Sequence, residues 1–549
     1  MFDQFRTMWP LSPPAEGGAR RPVWVPALRG LPLSNLLETN QLLVHSLDAL
    51  IASQQLFEPE QRLRHLIAFE PALENVYDLL ATHYSHVTQP LENPIWELAE
   101  LQRRLYWSLA QGYKSVIAQL LQQRLSRRAA GVVAIALSKG LRALARMLNT
   151  SCRFHLDPPA GLWSDLHQLY RLAERCNFAA IDPAVVNDLD TPIQDPTRVY
   201  KKAILFWLAK PYQLAAQDHD QLGRLIDICQ ESCHIFSPAV AMPGSTPMLF
   251  VDLASDHPPR FSRSDEALAT QDTRVVDTAA LVALLHQYQI VTRENIAQFD
   301  LTGQRLSNIQ PHVRNHALQA WRFDHPRAQT RHDCTLEVYV TIGLAVTHHF
   351  AKNRQAIGQP VSRSAPTQEP PRANRGKKKR SPPPPAPLES IRVRMLNQSL
   401  RGGCLIATRE SNLRIQVGEL IGLFREHHGD GMRFTLAVVR WIKNSEAGKI
   451  AFGVEFIAHE PMPVATRVCN TGAPYSDYSY SFLLSGMSKA RMPTTLLTSR
   501  VPFKSGDVVG VDWNEHDRRL ILREELTTTS RFARFVFEKV NSKHPEPTQ

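Results

Sequence analysis

Hydrophobic positions recur at steps of three or four residues through most of the first 350 residues. The clearest stripe, which starts behind Asn93-Pro94, consists of Leu98, Leu101, Leu105, Leu109, Tyr113, Val116 and Leu120. Asparagine followed by proline is typical of a helix start, because asparagine caps the first turn and proline fits its first position. Stripes of this kind indicate amphipathic helices. We therefore expect residues 31–354 to form a mainly helical domain, packed as a bundle or a short solenoid.

Two parts of this region depart from the helical pattern. Residues 1–30 contain several prolines and a Gly-Gly pair, and they are predicted to form an extended leader. Residues 236–354 are predicted to be a mixed extension of the helical domain, in which Met248–Leu253 resembles a buried strand. The segment Leu336–Leu344 fits a strand or a helix equally well by periodicity alone.

Residues 355–387 are predicted to form a linker between two parts of the protein. Nine prolines lie between Gly358 and Pro387, and a run of basic residues lies among them. Such a segment cannot bury apolar surface, and its polyproline part favours an extended, semi-rigid chain. Rapid proteolysis is therefore expected at about 358–387.

Short β-rich runs separated by glycine, asparagine, aspartate and histidine follow this linker. Closely spaced antiparallel strands favour a small barrel, because a closed barrel has no exposed edge. We predict a barrel at 388–470 and a further β-rich region at 471–549, so the fold class is multidomain α + β. The abrupt change of periodicity also predicts that residues 388–549 fold without the first 387.

The net charge of +11 arises from 63 lysines and arginines against 52 aspartates and glutamates. Residues 372–380 (RANRGKKKR) alone carry six positive charges and no negative one, so the rest of the chain is nearly balanced. Binding to nucleic acid would depend on this stretch alone and is not expected. The seven cysteines form no CxxC pair, and neither a signal peptide nor a membrane-spanning run is recognisable. A cytoplasmic protein is expected.

No sequence motif of a known catalytic centre is present. Phosphate-binding P-loops, GxGxxG, HExxH and GxSxG are all absent from the sequence. Two groups could in principle bind a metal, Cys229-Cys233-His234 and the pair His312 and His316. The first does not match the spacing of a zinc module, and a lone histidine pair on one helix face is more often at the surface. We therefore expect neither an enzyme nor a metal site.

One short motif stands out between two predicted strands. Asn397, Ser399 and Gly402 lie in the sequence NQSLRG, where an amide and a hydroxyl alternate before a glycine. On the residues alone, a polar turn that closes a hairpin explains this pattern better than a binding site does.

The motif and its surroundings resemble the PilZ domain family. Asn397-x-Ser399-x-x-Gly402 resembles the family's (D/N)xSxxG signature, and three further landmarks follow it in the family's order. They are VGELIGL at 417–423, VVRWI at 438–442 and GVEF at 453–456. The resemblance covers residues 388–468 and implies a six-stranded β-barrel.

The resemblance also implies cyclic di-GMP as the ligand. In the family, two arginines of an RxxxR motif bind phosphates and guanine edges, and the (D/N)xSxxG residues contact a guanine. Guanidinium groups suit a planar ligand with two negative charges, because they form bidentate bonds and stack. On the segment that enters the predicted barrel no exact RxxxR precedes Asn397. The nearest candidates are Arg375, Lys379 and Arg380 of the basic stretch, and Arg401 and Arg394, which flank the motif, are the alternatives.

Two functions follow from these observations. The first is a cyclic di-GMP receptor that relays binding to a protein partner through the helical domain. The second is an adaptor whose barrel no longer binds a nucleotide and serves as an interaction surface.

Overall fold

The chain forms two compact units in the computed structural model. One unit comprises residues 1–87 and 91–326, and the other comprises residues 88–90 and 327–549. The structure describes residues 35–52, 57–122, 126–176, 195–238, 248–262, 270–293, 305–322, 330–354, 357, 389–427, 431–444, 448–470, 476–486, 493–513, 516–529 and 531–540.

The first unit is mainly helical. Its helices are α1 (Leu36–Ala52), α2 (Pro59–His83), α3 (Asn93–Leu121), α4 (Arg127–Arg153), α5 (Leu162–Cys176), α6 (Pro196–Leu208), α7 (His219–Cys229), α8 (Ala279–Arg293) and α9 (Pro311–Arg322). Local sequence explains several of the helix starts. Ser126 caps α4 by accepting a hydrogen bond from the Ala129 amide, and Asp195 caps α6 in the same way through Thr197.

The predicted apolar stripe lies on α3, where it packs against α4 and the neighbouring helices. Leu105, Leu109, Tyr113 and Val116 are buried, as the periodicity predicts. Polar groups are buried here as well, since Lys139 of α4 is ion-paired with Glu70 of α2 at 2.5 Å. The mainly helical character of this unit is thereby confirmed.

A small antiparallel sheet completes the first unit. It consists of β1 (His234–Phe236), β2 (Met248–Asp252), β3 (Arg260–Ser262) and β4 (Thr273–Asp277), in the order β1-β4-β2-β3. The strand predicted at Met248–Leu253 is confirmed. The mixed character predicted from residue 236 onward is therefore present up to the end of α9.

The second unit begins with a closed six-stranded barrel, as the sequence predicts. Its strands are β5 (His332–Ile342), β6 (Ile391–Ser399), β7 (Gly402–Thr408), β8 (Leu420–His427), β9 (Gly431–Asn444) and β10 (Lys449–His459). The spatial order is β10-β7-β6-β5-β8-β9, and all neighbouring strands are antiparallel.

The barrel includes a strand from before the linker, so the boundary predicted at residue 388 needs correction. β5 pairs with β6 on one side and with β8 on the other, and its Val338 and Val340 are buried in the barrel core. The segment Leu336–Leu344 is therefore mostly a barrel strand and not part of a helical extension that ends at 354. A helix, α10 (Leu344–Lys352), follows β5. The linker predicted at 355–387 lies almost wholly outside the described residues.

The remaining strands form a second closed barrel. They are β11 (Met462–Val468), β12 (Ser479–Leu484), β13 (Thr495–Ser499), β14 (Val508–Trp513), β15 (His516–Thr528) and β16 (Phe532–Lys539), in the order β11-β12-β13-β16-β15-β14. β11 belongs to this barrel, although the sequence-based boundary at 470 assigns it to the first. Aromatic packing joins the barrels through Phe434 of the first and Phe482 of the second, whose ring centroids are 5.8 Å apart.

Among the described residues, no helix combines the length and the apolarity that crossing a membrane requires. Residues 1–30, which are predicted to form an extended leader, also lie outside the described part of the chain.

Candidate nucleotide-binding site

The polar motif at residues 397–402 forms the connection between β6 and β7. Ser399 ends β6 and Gly402 begins β7. The Ser399 hydroxyl donates a hydrogen bond to the Gly402 carbonyl oxygen at 3.2 Å and accepts one from the Arg401 amide at 3.4 Å. The serine thus closes the turn, as expected for a polar turn residue, while the turn stays at the barrel surface.

Gly402 is required by the close approach of a neighbouring strand. A Cβ atom built on this residue would lie 2.1 Å from the carbonyl oxygen of Val454 in β10. No side chain fits at that distance without moving the backbone, so the glycine of the motif has a structural reason.

Asn397 lies beside an arginine that comes from the start of β5. The Arg331 guanidinium (Nη1) donates to the Asn397 side-chain oxygen (Oδ1) at 3.4 Å. Arg331 is exposed, and the strand register places Asp333 opposite Asn397. A guanidinium and a side-chain amide therefore lie together at one end of the barrel, where both remain accessible.

Arg331 completes an RxxxR sequence that lies before the linker, outside the barrel boundary predicted at residue 388. Residues 327–331 read Arg327-Ala-Gln-Thr-Arg331 and come directly before β5. The expectation that no RxxxR lies on the segment entering the barrel is therefore wrong, because the barrel begins at β5 and not after the linker. The RxxxR sequence is visible in the chain, but residues 336–344 fit a helix or a strand equally well, so the sequence alone does not identify β5 as the strand that follows it. Arg327 lies outside the described residues.

The remaining residues predicted for the binding site do not share the contact between Arg331 and Asn397. Arg375, Lys379 and Arg380 lie outside the described residues, so the structure does not test them. Arg401 is exposed in the β6–β7 turn, and its carbonyl oxygen accepts a hydrogen bond from the Phe456 amide at 2.8 Å. Arg394 faces Glu337 across the strands at 3.7 Å.

A second landmark of the resemblance also has a packing explanation. Gly453 of β10 pairs directly with Trp441 of β9, and a Cβ atom on Gly453 would lie 1.8 Å from the indole nitrogen. The Trp441 side chain therefore covers the bare backbone of the glycine. The sequences VVRWI and GVEF thus describe one cross-strand contact.

The groups considered for metal binding are held in other interactions. Burial raises the pKa of Cys229 and of Cys233 to about 12, which keeps both thiols protonated. His316 Nε2 lies 2.7 Å from the Ala209 carbonyl oxygen, and His312 lies 3.1 Å from Asp218. Within the described ranges, no group of three or more histidine, cysteine, aspartate or glutamate side chains is arranged to hold a metal ion.

Three family models match the chain one after another. The N-terminal domain of the cyclic-di-GMP receptor FimW matches residues 24–239. The middle PilZ domain of that receptor matches 248–384 and 362–463, and its C-terminal beta-barrel domain matches 464–540. The chain is also 26% identical over 572 aligned positions to the cyclic-di-GMP receptor FimW of Pseudomonas aeruginosa, with 95% of this chain and 91% of that protein covered.

The first barrel is a PilZ domain, which confirms the resemblance found in the sequence. Together the three models cover most of the chain in the order of its helical unit, first barrel and second barrel. Each of these three regions is therefore similar to the corresponding domain of the cyclic-di-GMP receptor FimW.

Proposed function

We propose that this protein is a receptor for cyclic di-GMP, which it binds at the first barrel, and that it is not an enzyme. The observation that carries the proposal is the contact between Arg331 and Asn397, which unites the RxxxR and NxSxxG sequences at one end of the barrel. The printed name of the related Pseudomonas aeruginosa protein, a cyclic-di-GMP receptor, supports the same ligand.

The chemistry of these groups suits a cyclic dinucleotide. A guanidinium fork can bind a phosphate or the O6 and N7 edge of a guanine through two parallel hydrogen bonds. The Asn397 amide has a donor and an acceptor for a base edge. Arg327, Arg375, Lys379, Arg380 and Arg401 are proposed to add positive charge around the phosphates.

The helical unit is proposed to carry the output of the receptor. It is compact by itself, and the sequence offers no convergent acid, base and nucleophile for catalysis. We expect a protein partner to recognise its helical surface, as the role of a signalling receptor requires. The cytoplasm is the proposed location of this interaction. A fragment that ends near residue 326 should retain such a partner in a pull-down.

Isothermal titration calorimetry with cyclic di-GMP tests the site. Arg331→Ala is expected to weaken binding about ten- to a hundredfold, because a charged hydrogen bond contributes roughly 1.5–3 kcal/mol. Asn397→Ala is expected to cost less, since its hydrogen bonds are neutral. Arg392→Ala is a matched control, because Arg392 is an exposed β6 arginine whose guanidinium pairs with Glu337 at 3.0 Å.

The basic stretch is tested in the same titration. Arg375→Ala and Arg380→Ala are expected to weaken binding if the stretch contacts the phosphates. Unchanged affinity in both, together with a loss in Arg331→Ala, would assign the phosphate contacts to the segment before β5. Wild-type protein that does not bind cyclic di-GMP would favour the adaptor function.

A further inference from the structure

The end of the first barrel that carries Asn397 also contains a cavity of about 360 Å³. Its polar lining includes Gln398, Arg425, Arg433, Thr435 and His459. The remaining lining is mostly apolar and continues into the barrel core. A cavity with an apolar floor and a few converging polar groups is typical of a small-molecule site.

Two arginines face each other in this cavity. β8 and β9 pair in a register that places Arg425 directly opposite Arg433. Ile421 and Leu423 of β8 belong to the barrel core, so the two-residue alternation of a strand turns Arg425 inward as well. Like charges directly opposite on a sheet are unfavourable. An anion between them would turn this repulsion into an attraction.

The acidic residue of the cavity is held by other groups. Glu460 accepts a hydrogen bond from the Phe434 amide at 2.9 Å and pairs with Arg354 at 2.6 Å. Within the part of the chain that the structure describes, the half-buried guanidinium of Arg425 forms neither an ion pair nor a hydrogen bond. A half-buried cation of this kind is more favourable with a bound anion than without one.

The cavity adjoins the proposed nucleotide site. Gln398 lines the cavity and directly follows Asn397, which contacts Arg331. Gln398 is also opposite His332, the first residue of β5. One ligand can therefore reach both the surface groups and the interior of the barrel end.

We infer that Arg425 and Arg433 hold a phosphate group of the cyclic dinucleotide at this cavity. The inference rests on the proposed function. Two guanidinium groups match the phosphate oxygens in charge and in geometry. Gln398, Thr435 and His459 supply further hydrogen-bonding groups, and the Thr435 hydroxyl already lies 3.0 Å from the His459 ring.

Titration of the full chain with cyclic di-GMP tests this inference. Arg425→Gln and Arg433→Gln are each expected to raise the Kd about ten- to a hundredfold. Arg440→Gln is the matched control, because Arg440 is an exposed arginine of β9 that pairs with Glu455 at 2.6 Å. Its Kd should change by less than about threefold. Thermal melting of each variant reports on folding.

Each outcome separates the inference from the function on which it rests. If wild type binds and both cavity variants bind as tightly as Arg440→Gln, the inference is overturned while the receptor function stands. If wild type itself does not bind, the receptor function fails. If a glutamine variant does not fold, Arg425→Lys replaces it, since lysine keeps the charge but not the fork, and an unchanged Kd there also overturns the inference.

Inorganic phosphate supplies the last comparison. If phosphate alone at millimolar concentration raises the melting temperature of wild type as much as cyclic di-GMP does, and Arg425→Gln abolishes this rise, the cavity is a site for free phosphate. The assignment to the dinucleotide would then be overturned. A rise that only the dinucleotide produces supports it.

Discussion

Removal of β5 is predicted to unfold the first barrel. Two fragments are compared. Residues 388–549 lack β5 and α10, whereas residues 327–549 retain both. The sequence pattern alone predicts that the shorter fragment folds. The structure predicts the opposite, because β5 closes the barrel between β6 and β8.

The magnitude follows from what β5 buries. Val338 and Val340 are 2% and 0% exposed, and a fully buried valine stabilises a fold by about 1.5–3 kcal/mol. The two side chains together therefore contribute roughly 3–6 kcal/mol, against a typical total stability of about 5–15 kcal/mol. Loss of the strand also removes two backbone ladders and leaves two open edges. The sum is enough to unfold a barrel of ordinary stability.

Circular dichroism during thermal melting distinguishes the two cases. The 327–549 fragment should melt cooperatively, whereas 388–549 should lose the transition of the first barrel and show exposed apolar surface by dye binding. Addition of a peptide covering 327–354 should restore part of the transition. Equal melting temperatures for the two fragments would refute the assignment of β5 to the barrel.

Two further predictions concern stability. Gly402→Ala is expected to destabilise the protein by at least about 1–3 kcal/mol, because its Cβ would lie 2.1 Å from a backbone oxygen. Gly223→Ala, where a Cβ meets nothing within 4 Å, should be neutral or slightly stabilising, and equal urea midpoints for the two variants would contradict the packing argument. Acid should also destabilise the fold, because burial lowers the pKa of His348 to about 4 and of His219 to about 3. Since unfolded histidine has a pKa near 6.5, the unfolded state binds more protons below that value, so the melting temperature should fall as the pH falls from about 6.5 towards 4. A constant melting temperature across that range would contradict this reasoning.

Local patterns in the sequence predict the helices and the polar turn well. Most of the stripe on α3 is buried, and the NQSLRG motif does connect two strands. Both features depend on residues that are close in the chain, so periodicity and turn chemistry are sufficient to find them.

Such local patterns do not predict how the first barrel closes. β5 pairs with strands that lie on the other side of the linker, and its own segment fits a helix or a strand equally well. Misplacing this strand also hid the RxxxR sequence that ends at Arg331. The opposition of Arg425 and Arg433 depends on the register of two strands, which a hydrophobic pattern alone does not give for these polar positions.

Calorimetry on the wild-type full chain shows whether the protein binds cyclic di-GMP, the ligand proposed for the first barrel. We predict saturable binding of cyclic di-GMP with a Kd below about 100 μM, which corresponds to roughly −5.5 kcal/mol. Cyclic di-AMP, which has the same two phosphates but lacks the guanine O6, should bind more weakly. No heat with cyclic di-GMP up to about 100 μM, or equal affinity for both dinucleotides, would contradict the account.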